Sequence, residues 1–190
     1  MGKNYFTAEN FNNTDLSEKL FSGNEYENCN FSNCNFSGAD LTEVIFEDCC
    51  FTDCDFSMAQ LKKTAFRDVK FKNSKLLGVH FDECNPFLLS FMFESCNLDY
   101  SSFARLKIRN TVFENCKMEE TDFAEANLSY AIFKNCDLTR AVFDNTLLEY
   151  ADFRTSFNFS IDPENNHIRK ARFSVNNIAG LLEKYDIDIE

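Results

Sequence analysis

FSNCNFSGADLTEVIFEDCCFTDCDF, residues 31–56, carries its large apolar side chains at Phe31, Phe36, Leu41, Phe46, Phe51 and Phe56, one in every five. An α-helix repeats about every 3.6 residues and a strand about every two, so neither element accounts for a sustained period of five. The backbone must turn a corner within each quintet. Outward from this stretch the spacing runs back through Tyr26, Phe21, Leu16 and Phe11 to Phe6, and forward without a miss to Phe81. It resumes at Leu88 and continues through Phe93, Leu98, Phe103, Ile108 and Phe113 to Phe153, two residues out of phase with the first tract. That shift places a two-residue insertion within ECNPFLLSF, residues 83–91.

Two residues before each large one stands a small one: Cys29, Cys34, Ala39, Val44, Cys49 and Cys54 early, and Cys96, Ser101, Thr111, Cys116, Thr121 and Ala126 later. One bulky and one small residue of each quintet therefore point inward, and the other three are polar. A second period lies on the first, because Phe31, Phe36, Leu41 and Phe46 are followed twenty residues later by Phe51, Phe56, Leu61 and Phe66. Twenty is four fives. A coil whose turns have four five-residue sides stacks like on like, as repeat architectures do. Turns paired as parallel strands add about 4.8 Å each, so roughly seven and a half of them make a rod on the order of 35 Å long.

The organisation expected is a first tract over 1–82, a phase break at 83–91 and a second tract over 92–157, forming one continuous solenoid domain, followed by a C-terminal cap over 158–190. Solenoid ends need covering, since a terminal turn exposes apolar interior and a strand edge. In the tail, Ser174 can serve as an N-cap, and Ile178, Leu181, Leu182 and Tyr185 have helical spacing, which predicts an α-helix over about 175–185. Gly180 weakens it. Ile187 and Ile189 alternate with acids and extend the set of candidate cap or dimer contacts formed by those four residues.

With 190 residues, 44% of them apolar and periodically placed, the chain suffices for one packed domain. Its composition includes 23 Phe, no Trp, 5 Gly and 2 Pro. A formal net charge of −12 argues against direct binding to nucleic acid or to an anionic membrane and favours a basic partner. The opening MGKNYFTAEN has no secretory pattern and no run is long and apolar enough to span a membrane, so a reducing cytoplasm is expected for the 9 cysteines.

Seven of the nine cysteines, all but Cys50 and Cys84, occupy the small inward slot, where a thiol packs as a small hydrophobe. No CxxC pair, GxGxxG, GxxxxGK[ST] or GxSxG occurs, and neither His80 nor His167 has metal-ligand company at suitable spacing. No catalytic residue, cofactor or metal is therefore assigned. What remains is surface. Outward acids recur with the turn spacing: Glu25, Glu27, Glu47, Asp48 and Asp68 on one wall, and Glu94, Asp99, Glu114, Glu119 and Glu120 on others. These are the candidate partner-binding acids, and a slim rod studded with anions has the general character of duplex DNA, which carries about one charge per 1.7 Å of axis. Solubility is the competing explanation. Met92, Val112 and Ile132, and the pair Tyr130 and Tyr150, are expected to stack as outward apolar ladders.

The quintets CNFSG, ADLTE, CDFSM, TDFAE, ANLSY and CDLTR resemble the A(D/N)LXX consensus of pentapeptide repeat proteins from about residue 6 to 153. The resemblance implies an all-β right-handed quadrilateral β-helix. Within that family the phase break and the tail SIDPENNHI look like the Qnr and McbG types. This implies a cytoplasmic, dimeric DNA mimic that binds DNA gyrase or topoisomerase IV and protects it from quinolones or peptide toxins, a form of antibiotic resistance. Qnr proteins also carry sizeable loops needed for protection, and no such loop interrupts these tracts. The alternative function is a protein-protein interaction scaffold without DNA mimicry.

Overall fold

The computed structural model describes residues 4–19, 21 and 23–188. Within them the chain winds as a parallel β-solenoid of four walls. Wall one is centred on Phe6, Tyr26, Phe46 and Phe66, wall two on Phe11, Phe31, Phe51 and Phe71, wall three on Leu16, Phe36, Phe56 and Leu76, and wall four on Phe21, Leu41, Leu61 and Phe81. Short strands Tyr5–Thr7, Glu25–Glu27, Ile45–Glu47 and Ala65–Arg67 form a four-stranded parallel sheet on wall one. A seven-stranded parallel sheet follows wall two from Asn10–Asn12 to Ile132–Lys134. Walls three and four are joined by single parallel bridges, such as Asn35 with Asp55 and Ser102 with Asp122.

Corners explain why the sequence is rich in Asn and Asp and poor in Gly. A left-handed residue recurs at every fifth position, including Asn28, Asn33, Asp48, Asp53, Asn115 and Asn135, each with φ between 51° and 55°. Asn and Asp tolerate this region better than other side chains with a Cβ. The Asp or Asn just before the large residue accepts the N–H two residues on: Asp40 from Thr42 at 3.0 Å, Asp122 from Ala124 at 2.8 Å and Asn127 from Ser129 at 3.1 Å. Where the second letter of a quintet is Asp or Asn outside the strands, it makes an Asx turn that holds the corner.

Inside, rings stack in columns. On wall two, Phe11, Phe31, Phe51, Phe71, Phe93, Phe113, Phe133, Phe153 and Phe173 follow one another with centroids 4.6–5.3 Å apart. Rings of the facing wall meet them edge-on, as Phe93 meets Phe103 at 5.8 Å and 81°. The small slots are buried as expected, and their polar atoms reach inward-pointing carbonyls of the preceding turn: Cys29 to Phe6, Thr64 to Leu41, Thr121 to Leu98 and Ser156 to Phe133. A hydroxyl or thiol in that slot satisfies a carbonyl that water cannot reach.

The two-residue insertion is visible in the register, which changes from Phe51 opposite Phe71 to Phe71 opposite Phe93. One detail differs from the sequence reading. Leu88, where the spacing was expected to resume, is 65% exposed, and Phe91 fills the interior in its place. The chain keeps the earlier register through Asn85, whose N–H reaches the Thr64 carbonyl, and rejoins at Ser90, whose N–H reaches Phe66. Between them Pro86, Phe87 and Leu88 are expelled as a bulge on wall one, and Leu89 turns back to pack partly against the core.

The C-terminal end brings two further differences. The coil does not stop at Phe157, because Leu147 still bridges His167 and Asp152 bridges Arg172, and Phe173 stacks on Phe153. The expected α-helix is instead a pair of 3₁₀ helices, Val175–Leu181 and Glu183–Tyr185. Ser174 is the N-cap, with Asn177 completing a capping box. The Asn177 amide donates to the carbonyls of Phe153 and Ser156, and the Gly180 carbonyl accepts from Ile161. At the 3₁₀ pitch of about three residues per turn these two anchors lie one above the other on the face toward the coil.

Candidate functional site: the charged walls

Residues twenty apart share a column and are neighbours across one turn, so the effective charge of any acid depends on what stands one turn away. Half of the expected acids prove to have cationic company there. Glu47 receives Arg67 at 2.9 Å, Glu94 receives Lys72 at 3.0 Å and Glu114 receives Lys134 at 2.5 Å. Arg140 bridges Glu119 and Glu120. Glu27 accepts the Tyr5 hydroxyl, Asp68 accepts from Ser90 at 3.0 Å and Asp99 from the Glu119 N–H at 2.8 Å. Glu25 lies opposite Ile45, and Asp48 is exposed at a left-handed corner. The set is spread over three walls and is partly neutralised.

Wall four carries acids outside that set. Asp82, Glu83, Asp122, Glu125 and Asp144 lie on the turns of Phe81, Phe123 and Phe143, and among the described residues none is ion-paired with a lysine or arginine. Arg105 is the one cation within this stretch, in the column between Glu83 and Glu125. Ala104 and Ala124 make a shallow dent there, rimmed by Tyr100, Glu120, Asp122 and Glu125. Residue type at twenty residues' distance does not by itself mark these acids: Lys62 and Lys63 stand that far from Asp82 and Glu83, and Arg105 from Glu125, yet Lys63 turns to Glu43 at 3.2 Å, so the side-chain geometry of the folded turns is what leaves them unpaired.

The cap candidates sort by contact. Leu181 packs on the core and Leu182 is half-buried, whereas Ile178 and Ile187 are exposed. Tyr185 donates to Glu164 at 2.9 Å, and Lys184 bridges Asp162 and Glu164 at 2.6 and 2.7 Å. These bonds to both acids hold the Lys184 ammonium pKa above its usual value. Ile189 lies outside the described residues. A cleft between the cap and the last turns is lined by Arg140, Phe159, Leu182, Glu183 and Ile187.

Reactive chemistry is sparse on this surface. His80 Nδ1 lies 3.3 Å from Asp82, and among the described residues no group of three or more His, Cys, Asp or Glu could hold a metal ion. All nine cysteines are free, and burial pushes the Cys49 and Cys54 thiols up to about 12. Cys50, half-exposed on wall two, is the exception to burial. No described helix is long and apolar enough to cross a membrane. The outward ladders are present: Val112 lies between Met92 and Ile132, and Tyr130 stacks on Tyr150 at 4.7 Å.

Fold and surface together define a four-walled parallel solenoid that displays charge in columns. The chain matches the model of the pentapeptide repeat region over residues 24–103 and 88–181, and it belongs to the pentapeptide repeat family. Among solved structures it is similar to a trypsin-treated variant of QnrB1, a plasmid-mediated fluoroquinolone resistance protein, with TM-score 0.65 and 18% identity over 100% of this chain and 95% of that one. HetL, a pentapeptide repeat protein involved in heterocyst differentiation regulation in the cyanobacterium Nostoc, matches with TM-score 0.40 and 14% identity over 90% of each chain. No curated protein sequence matches the chain.

Proposed function

We propose that the protein is a cytoplasmic protein-binding rod whose fourth wall docks, as a DNA mimic, on the basic DNA-binding surface of a type II topoisomerase, DNA gyrase or topoisomerase IV. The observation that carries this reading is the run of acids on wall four, Asp82, Glu83, Asp122, Glu125 and Asp144, left without lysine or arginine partners, while Glu47, Glu94, Glu114, Glu119 and Glu120 on other walls are bridged to cations of a neighbouring turn. Unpaired anions on a stiff scaffold keep their field for a partner instead of spending it internally, and such fields steer association. The likeness to QnrB1 selects the topoisomerase as the first partner to try.

The test is a gyrase supercoiling assay with and without a fluoroquinolone, in which added protein inhibits the enzyme or rescues it from the drug. The variant Asp82→Asn/Asp122→Asn/Glu125→Gln is expected to weaken the effect at least tenfold, while Glu94→Gln, an acid already paired with Lys72, leaves it unchanged. No effect of the wild-type chain on gyrase or topoisomerase IV at micromolar concentration would remove this reading.

A second reading, a scaffold without DNA mimicry, is favoured by one specific observation: the exposed Tyr130 and Tyr150 ladder lies away from the acidic wall and is suited to a protein contact. Retained capture of a partner by the acid-neutralised variant would select it. Pairing of two copies through the cap would have to use Ile178 and Ile187, because Leu181 is turned onto the core and Tyr185 is tied to Glu164.

A further inference from the structure

Wall one is divided into three parts along the rod. Its lower part is acidic: Glu27 and Glu47 line a dent with Tyr5 and Ile45, Asp48 and Asp68 stand exposed at the adjoining left-handed corners, and the cation Arg67 is ion-paired with Glu47 at 2.9 Å. Its middle is the bulge, where Phe87 and Leu88 are each 65% exposed. Its upper part is basic: Lys107, Arg109, Arg169 and Lys170 are exposed, and among the described residues none has a carboxylate in ion-pairing range. In a chain of net charge −12, unpaired cations gathered on one wall need an explanation.

Between those cations stands a closed aromatic ladder. Tyr130 and Tyr150 stack at 4.7 Å and 2°, the Arg109 guanidinium covers the outer face of Tyr130 at 5.5 Å, and the Lys170 ammonium covers that of Tyr150 at 5.5 Å. Each ring has a neighbour on both faces, so neither offers a free face to a nucleobase. The overall negative charge further opposes a nucleic acid or an anionic bilayer. The acid within this part is Glu149, which accepts from Ser129 at 3.2 Å.

We propose that wall one is a self-association surface, on which two copies of this chain pair antiparallel about a two-fold axis passing at or beside the bulge. Four turns of wall one lie below the bulge, those of Phe6, Tyr26, Phe46 and Phe66, and four above it, those of Ile108, Leu128, Leu148 and Ile168. Such an axis lays the basic half of each copy over the acidic half of the other. Both halves are layers of the same coil and share one axial repeat of about 4.8 Å, so their charges come into register over successive turns. The ridge of Tyr130 and Tyr150 then faces the acid-rimmed dent, and the two bulges meet near the axis, covering Phe87 and Leu88. The contact is isologous, each residue pair occurring twice. Wall four stays outside it.

The experiment is sedimentation equilibrium on the full chain at low and high ionic strength, with circular dichroism confirming the fold of each variant. The wild type is expected to dimerise at low salt and weaken as salt screens the pairing. Arg109→Glu/Lys170→Glu and Glu27→Lys/Asp48→Lys should each weaken dimerisation by roughly an order of magnitude or more, because every contact then sets like against like. Mixed together, the two variants should restore a dimer. In that mixture one contact pairs two reversed surfaces and the other two native ones, a rescue that a nonspecific loss of solubility or structure cannot produce. Phe87→Ser/Leu88→Ser should weaken pairing without changing its salt dependence. A wild-type chain that stays monomeric at low salt would overturn the proposal. So would a dimer indifferent to these variants but abolished by Ile187→Asp, which would move the contact to the cap. Binding of the monomer to a single-stranded oligonucleotide, lost in Arg109→Glu/Lys170→Glu, would assign the basic half to nucleic acid instead.

Discussion

Asp15, Asp40 and Asp152 each precede a large inward residue by one position and turn a carboxylate onto the N–H of the residue two further on, at 3.1, 3.0 and 3.1 Å. Their pKa values lie below the ordinary carboxylate range. For Asp15 and Asp40 the leading cause is a side-chain hydrogen bond from Ser17 and Thr42, and for Asp152 one from Arg154. A carboxyl with a depressed folded value stabilises the fold fully above its unfolded pKa, near 3.9, and loses that contribution as the pH falls through the folded value. Acid should therefore destabilise the coil progressively below about pH 4. Asp40→Asn/Asp152→Asn keeps the Asx acceptor but cannot titrate, so its urea midpoint should fall less steeply over that range. Parallel curves for variant and wild type would show that these corners do not set the acid limit. The corner chemistry was partly legible in the sequence, because an Asp or Asn before a large residue commonly makes an Asx turn, as at Asp40 and Asp122, although Asn10 and Asn30 stand in strands and bond to each other instead. The charge state of the walls was not: pairing Glu94 with Lys72 or Glu114 with Lys134 requires folding the string into turns first.

At the scale of elements, the insertion and the cap show what periodicity leaves open. Spacing places a phase break within residues 83–91, yet Leu88 and Phe91 are both apolar, and spacing alone does not say that Phe91 turns inward while Leu88 stays exposed. Helical spacing likewise points to a helix after Ser174 but not to its pitch, and it does not show that Asn177 and Gly180 tie that helix to the last coil. Gly180 is needed for close approach and not for a special backbone angle. A methyl group there would overlap the Phe159 carbonyl and ring. Gly180→Ala should lift the cap from the end of the rod while the ring columns stay intact. Limited proteolysis would then cut beyond Ser174 at a concentration of protease that leaves the wild type whole. Equal resistance in the two proteins would mean that the cap is held by its ion pairs to Lys184 and not by this contact.

Over the whole molecule, stability is a sum of turns and of the interfaces between them, as in other one-dimensional repeat folds. A ring in mid-column touches turns on both sides. Phe113 lies 5.3 Å from Phe93 and 5.0 Å from Phe133, and Phe113→Ala should cost about 3–5 kcal/mol in a urea titration. Phe173 ends the same column with one stacked neighbour in it, Phe153 at 5.3 Å, and is only partly buried, so Phe173→Ala should cost clearly less. Similar losses at both positions would contradict additive stacking. The bulge at residues 86–88 carries a wider implication for how such a rod changes over time. Its surplus residues are vented to the outside and the interior resumes one turn later with Phe71 on Phe93, as though nothing had been added. A coil that absorbs length this way makes each corner a place where new material can be grafted without consulting the interior, and recognition can be rewritten on one wall while the other three go on as before.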